Sequence, residues 1–490
     1  MANIDFPMKS RTIPTFVRPL ALAILAHAPL HAADPALTIY NQNFAVVRDT
    51  VSLDLKAGVS EARFSGMTAQ AETDSVILRD PTGKTKFQIL EQAYRNDPVS
   101  SGLMLDLCEG KTIDFYVREP NKPDRTIQGK IIRSGYARGN STQPIIEVDG
   151  KLQFSLPGEP VFPSLGDDTI LNPTLSWTLQ APEATKCDAE LAYVTGGLSW
   201  QSDYNIVAPE NGDKIDIVGW VTFRNNSGTT FKQANIKLMA GDVNKVQPPA
   251  PMTMSSPAAG IGGALMDMEK TVTEKAFDEF HLYTIARPVT LRDQETKQVE
   301  FVRGTGVKAP RIYVYDGATM NYGAWNYYRG EGEYGVPTNK KVWVLREFKN
   351  SKENNLGIAL PKGRLRFYTR DDDGSLQFTG ENNIDHTAKD ETIRVYLGNS
   401  FDLTGERRRT EYKARSSENW LDETFEIKVR NHKKEAAEIR VVEHLSRFDN
   451  WVVKEKSDDF RKLDSHMIEF PVTVKPDEEK IVTYHVHYTW

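Results

Sequence analysis

The side chains of this sequence best suited to chemistry gather between Tyr313 and Tyr334. Tyr313, Tyr315, Tyr322, Trp325, Tyr327 and Tyr328 stand among Gly317, Gly323, Gly330, Gly332 and Gly335, with acids at Asp316, Glu331 and Glu333. Aromatic rings in a glycine-rich loop can stack on sugars or anchor a partner while carboxylates bond hydroxyls. The bland counterpart is a loop that folds back and covers a sheet edge with its rings. The ligand-binding candidates are therefore Tyr313, Tyr315, Tyr322, Trp325, Tyr327, Tyr328, Glu331 and Glu333. Gly330, Gly332 and Gly335 also have the spacing of a dinucleotide loop. Glu331 and Glu333 would repel a pyrophosphate, however, and Pro337 followed by a strand replaces the required helix.

Other constellations are thinner. Gly197-Leu198-Ser199-Trp200-Gln201 falls one glycine short of a nucleophile elbow and lacks its strand-to-helix setting, which leaves a structural turn. His485 and His487 lie two apart on an expected strand and so share a face, but no third metal ligand is evident in the nearby sequence. Asp371-Asp372-Asp373-Gly374 reads as a hairpin turn, because the later positions of a calcium loop are missing. The methionines of Gln247 to Met268 fit no fixed ligand geometry. Cys108 and Cys187 read either as one disulfide or as two separate buried thiols, since sequence cannot place their Cα atoms within bonding distance. No catalytic residue, metal or cofactor is read from these patterns.

The elements that must position these groups are strands. Leu37 to Tyr40, Ala45 to Leu53, Ser75 to Leu78, Lys111 to Val117, Ile127 to Ile132, Ile145 to Val148 and Leu152 to Phe154 are rich in β-branched residues and bounded by polar turns. The close spacing within 111–154 suggests a small barrel or sandwich. A pattern then recurs three times: Trp220 to Asn225, Trp343 to Asn350 and Phe425 to Asn431 each run through alternating apolar residues to an asparagine, then turn into another strand. Asparagine supplies turn chemistry at a strand end. The expectation is an all-β chain of antiparallel sandwich or small-barrel modules in tandem with few short helices. Its limits are set at 34–180, 181–310 with a flexible Pro/Gly-rich insertion at 247–270, and 311–490.

At 490 residues and a formal charge of −6, the chain is long enough for several cores and too acidic to favour nucleic acid or anionic lipid. The one dense basic run, Arg407-Arg408-Arg409 with Lys413 and Arg415, reads as a solvated face. At the start, Lys9, Arg11 and Arg18 precede an apolar run from Leu20 to Ala26 and a small-residue stretch ending at Ala33. That is the layout of a secretory signal peptide, and the run is too short to span a bilayer. Cleavage after Ala33 removes those three basic residues and Asp5, moving the formal charge to −8. The mature chain is expected outside the cytoplasm, in the periplasm or beyond, without a transmembrane helix.

Several stretches resemble the bacterial domain of unknown function 4139 family, whose better-named relatives are described as mucoidy inhibitor-like. They are Leu37 to Arg48, Leu90-Glu91-Gln92 with Tyr94 and Asp97, Tyr193 to Tyr204, Ala240 to Asn244 and Leu360-Pro361-Lys362-Gly363, with Gly196 to Tyr204 the most specific. The resemblance implies an exported β-rich protein and carries over no catalytic residues. Two functional expectations follow. One is an envelope scaffold or binding module for a glycan or an envelope protein. The other is a hydrolase of envelope polysaccharide that uses paired carboxylates.

Overall fold

The computed structural model describes residues 34–490 apart from 121–122, 138–141, 166–168, 210–211, 242, 246–271, 278–279, 319–333 and 337. The signal-peptide segment and the whole 247–270 insertion therefore lie outside the described residues. The all-β expectation holds: the described residues form several antiparallel or mixed sheets, one α-helix at Ser101–Leu107 and two 3₁₀ turns. The helix, which no clear periodicity announced, begins at Ser100, whose hydroxyl accepts from the Leu103 N–H.

Strict alternation explains why these segments are strands. In Trp420–Asn431, Leu421, Glu423, Phe425, Ile427, Val429 and Asn431 point inward, while Trp420, Asp422, Thr424, Glu426, Lys428 and Arg430 point outward. Each fully buried Leu, Phe, Ile or Val of such a face contributes about 1.5–3 kcal/mol.

The strand pairings reveal that one sandwich is built twice. In the first copy, Ala36–Tyr40 pairs in parallel with Phe231–Ala240 and antiparallel with Phe44–Leu55, which pairs with Thr185–Gly196. Leu198–Pro209 then pairs with Lys214–Asn225, that strand with Glu295–Lys308, and Phe231–Ala240 with Val289–Leu291. In the second copy, Arg311–Asp316 pairs in parallel with Ala437–His444 and antiparallel with Lys341–Lys349, which pairs with the first half of Thr392–Arg415. The second half of that 24-residue strand pairs with Trp420–Asn431, that strand with Glu479–Thr489, and Ala437–His444 with Met467–Val474.

The copies differ at one corner. In the first, Gly197 breaks the equivalent long strand: its φ is +78°, and a Cβ there would lie 2.7 Å from the Asn226 carbonyl oxygen. Only glycine fits, so the chain steps from one sheet to the next. In the second copy the strand runs on and a single nine-stranded sheet encloses the core.

The asparagines of the recurring pattern find their reason here. Asn225 Nδ2 donates to the carbonyls of Thr229, Leu291 and Arg292, and its Oδ1 accepts from Ser227. Asn431 Nδ2 donates to Glu435 and Val474, and its Oδ1 accepts from the Lys433 N–H. Both are fully buried and tie a strand end to its turn and to a neighbouring strand. Asn350 does similar work with Ile358, Ala388 and Gly357, but it follows the Lys341–Lys349 strand, which occupies a different place in the copy. The three recurrences are thus two equivalent strands and one that only looks alike.

The apolar clusters do not follow chain order. One apolar cluster runs from Leu37 through Ala309 and takes in Phe348, Leu365, Phe367, Ile393 and Val395, because Gly363–Arg370 pairs in parallel with Leu198–Pro209. A second cluster fills the second copy, and a third, around Phe115, Ile131 and Ile146, fills a separate insertion at 101–161. That insertion is an open five-stranded sheet rather than a closed barrel.

Cys108 packs in the insertion's core and Cys187 against the first copy's core, so the two thiols are free and the disulfide reading does not hold in this fold. Burial pushes the Cys187 thiol up.

Candidate functional site

The candidate site lies in the second copy, where the described chain stops at Ala318 and resumes at Tyr334. Arg407, which opens the basic run expected to face water, points inward instead. Alternation along Thr392–Arg415 turns Arg408 out and Arg407 in, with the Arg407 side chain 3% exposed. Its Nε donates to Glu443 Oε1 and Oε2 at 2.9 and 3.0 Å, its Nη1 to the Gly335 carbonyl at 2.6 Å, and its guanidinium lies 4.0 Å from the Phe425 ring centre. Tyr484 donates its hydroxyl to Glu443 Oε2 at 2.6 Å.

Alongside, Arg447 donates through Nε and Nη2 to the two oxygens of Glu423, both at 2.7 Å, and through Nη2 to the Tyr334 carbonyl at 3.0 Å. Arg409 Nη1 reaches Glu423 Oε1 at 3.2 Å. Two buried ion pairs, the Arg447–Glu423 one bidentate, thus grip the backbone at Tyr334 and Gly335. Burial and the charge of Glu443 push the Tyr484 hydroxyl far above its usual range, so it stays a donor.

The rim carries one more polar pair. His444 Nε2 lies 2.9 Å from Asp316 Oδ2, while Asp316 Oδ1 is buried without a partner. Burial alone would lower the His444 pKa, but the hydrogen bond to Asp316 and the charges of Asp316 and Glu443 outweigh it and raise the value. Asn339 bonds the Asp316 carbonyl through Nδ2, and the Tyr315 hydroxyl donates to the Asn339 carbonyl. The cavity between Arg407, Glu423, His444, Arg447 and Tyr488 measures ≈ 10 Å³, room for about one water molecule. It holds no organic substrate, and its acids are already committed to arginines.

The expected binding residues separate accordingly. Tyr313 and Tyr315 are buried in the second core, a correction to the exposed platform, because alternation on Arg311–Asp316 turns them inward and the Tyr315 ring packs where any Cβ on Gly405 would clash. Tyr322, Trp325, Tyr327, Tyr328, Glu331 and Glu333 lie outside the described residues. Ser199 is a strand residue opposite Arg224, in keeping with a structural reading of its motif.

That motif meets another resemblance-bearing stretch in space. Ser202 donates to the Lys362 carbonyl at 2.7 Å and Tyr204 to the Pro361 carbonyl at 2.6 Å, while Gly363 sits where a Cβ would strike the Ser202 carbonyl oxygen. This is a buried junction. Asp371 to Ser375 forms a hairpin turn closed by the Gly374 N–H on the Asp371 carbonyl. No spacing rule could have announced the arginine–glutamate network, although inward-phase Arg407 and Glu423 on apolar strands were a usable signal.

The fold and site define a duplicated β-sandwich chain whose most buried polar groups brace its own backbone. The chain belongs to the family described as Domain of unknown function (DUF4139), whose model matches residues 189–490. That span opens within Thr185–Gly196 and includes the whole second copy. Neither the curated proteins nor the solved structures give a match.

Proposed function

We propose that this chain is an exported cell-envelope protein that acts without catalysis, as a scaffold or binding module for a glycan or an envelope protein. The observation that carries this reading is an exposed aromatic pair on the outer face of the second copy. Trp343 and Tyr396, on neighbouring strands, meet edge to face with ring centres 6.2 Å apart and remain more than a third exposed. The Tyr396 hydroxyl donates to Asn399 Oδ1, and Arg394 and Glu347 form an ion pair at 2.7 Å one step along the same strands. Five residues beyond Tyr396, Phe401 is 96% exposed. Rings with amide and charged groups beside them suit a sugar face and its hydroxyls.

Hydrolysis of a glycoside needs two acids about 5–9.5 Å apart across an open cleft. Glu423 and Glu443 are bound by arginines around a cavity of water size, which favours the non-enzymatic reading. Export rests on the layout of residues 1–33.

The test is sedimentation of the purified chain with peptidoglycan and with outer-membrane polysaccharide, comparing wild type with Trp343→Ala/Tyr396→Ala. Loss of binding at an unchanged melting temperature supports the reading. Equal retention by both proteins overturns the site. Fractionation of tagged cells checks export, and full-length protein confined to the cytoplasm overturns it.

A further inference from the structure

The stretch Gly196 to Tyr204 carries the most specific part of the family resemblance, and its outward-facing residues have no part in the core. In Leu198–Pro209, Leu198, Trp200, Ser202 and Tyr204 point inward, which turns Gln201, Asp203 and Asn205 to the outer face of a five-stranded sheet. An outward-phase acid belongs in water, yet Asp203 is 5% exposed. Its Oδ2 accepts from Gln201 Nε2 at 3.0 Å and from Thr222 Oγ1 at 3.1 Å. Its Oδ1 lies 3.6 Å from Arg364 Nη2 and 3.7 Å from Arg366 Nη1, on the neighbouring strand Gly363–Arg370. Half-exposed Glu381, one strand further out, lies 3.6 Å from Arg366 Nε. All three separations exceed a hydrogen bond, and among the described residues neither guanidinium donates one. Register sets Trp220 beside Asp203 on one side, and Tyr368 follows Arg366 by two residues on the other. Both rings are partly exposed, and Tyr368 meets Phe378 edge to face with ring centres 5.9 Å apart.

We propose that this face binds an acidic sugar polymer, with Arg364 and Arg366 taking a ring carboxylate and Trp220 and Tyr368 stacking on the sugars to either side. A guanidinium fork matches a carboxylate bidentately, and here two forks stand in the middle of the face with their N–H groups uncommitted. Strand spacing puts Trp220 about 10 Å from Arg364 and Tyr368 about 7 Å from Arg366 at the backbone, so cations and rings share one extended footprint. The acids choose between classes of ligand. Asp203 and Glu381 beside the arginines oppose the dense carboxylates of an acidic peptide and accept hydrogen bonds from hydroxyls. A uronic acid brings one carboxylate and several hydroxyls in each ring, which suits that mixture. The site lies in the first copy, on a different sheet from Trp343 and Tyr396, and does not rest on that pair.

Calorimetric titration of a short oligogalacturonate into the full chain tests this, beside its methyl ester, in which the same sugars carry no charge. The expected result is saturable binding of the acid, at least about tenfold weaker for the ester and for Arg364→Gln/Arg366→Gln, since each lost charge-assisted bond is worth about a factor of ten or more. Added salt should weaken binding of the acid. Tyr368→Ala should weaken acid and ester alike, because stacking does not depend on charge. Arg408→Gln, which removes an exposed cation from the other copy, should bind as wild type does. Thermal melting shows whether each variant is folded. If the double variant is not, because buried Asp203 has lost both cations, Arg364→Gln alone leaves Arg366 in place and should still bind at least about threefold more weakly. No binding by wild type, equal binding of acid and ester, or undiminished binding by the folded arginine variants overturns the site. Tighter binding of oligoglutamate than of oligogalacturonate overturns the sugar as its ligand.

Discussion

The two copies of the sandwich solve one problem with different chemistry. Counting four residues from the leucine that faces the strand-end asparagine, Leu198 opposite Asn225 and Leu403 opposite Asn431, leads to Ser202 in the first copy and Arg407 in the second. Each grips the backbone of a crossing segment: Ser202 bonds the Lys362 carbonyl and Arg407 the Gly335 carbonyl. A hydroxyl needs no counter-ion, so apolar and aromatic residues such as Trp200, Phe223, Tyr283 and Phe301 fill the rest of the first copy's core. The Arg407 guanidinium is neutralised out of water by Glu443, which also accepts from Tyr484, and Arg447 is neutralised beside it by Glu423. The same topology therefore tolerates an apolar core or a charged one, provided each buried charge has its partner.

The comparison breaks most sharply at Glu443. Glu443→Leu leaves Arg407 buried without its counter-ion and should cost about 3–5 kcal/mol in urea unfolding, whereas Arg407→Met/Glu443→Leu together should cost far less. A double variant as unstable as the single one would show that the network matters for more than charge balance.

A smaller effect sharpens the claim of duplication. Asn225→Ala and Asn431→Ala should each lower stability by about 1–3 kcal/mol, since each strands buried carbonyls, with Asn225 the costlier because it makes more bonds. If either proves silent, the two strand ends are not equivalent.

Smaller again, Ser202→Ala should cost roughly 1 kcal/mol for a neutral hydroxyl shared between the Lys362 and Pro361 carbonyls of the crossing segment. A loss as large as that of Glu443→Leu would contradict the view that the first copy does this work cheaply.

The slightest expected effect is a pH dependence confined to the second copy. The His444 pKa is raised on folding from its usual 6.5, so protonated His444 stabilises the folded state fully below about pH 6.5. That contribution disappears as pH rises through the raised value. The stability difference between wild type and His444→Gln should therefore shrink from mildly acid to mildly alkaline pH. A difference that grows over this range would reverse the assigned shift.

The alternation of apolar residues by itself determined that this is a β protein, where many strands lie and that Asn225, Asn350 and Asn431 close strand ends, because period two and turn chemistry are local properties. Local pattern also marked Gly197 as a turn rather than a nucleophile elbow. Partnership was decided only by the tertiary structure. Strands far apart in sequence had to pair before Asp422 could stand opposite His487, before Glu443 could face Arg407, and before the insertion's helix could take Cys108 into a different core from Cys187. The basic run shows the reason most plainly. Arg407, Arg408 and Arg409 are chemically alike in the sequence, and only the side of the sheet that received the core made Arg407 a buried brace and left Arg408 in water.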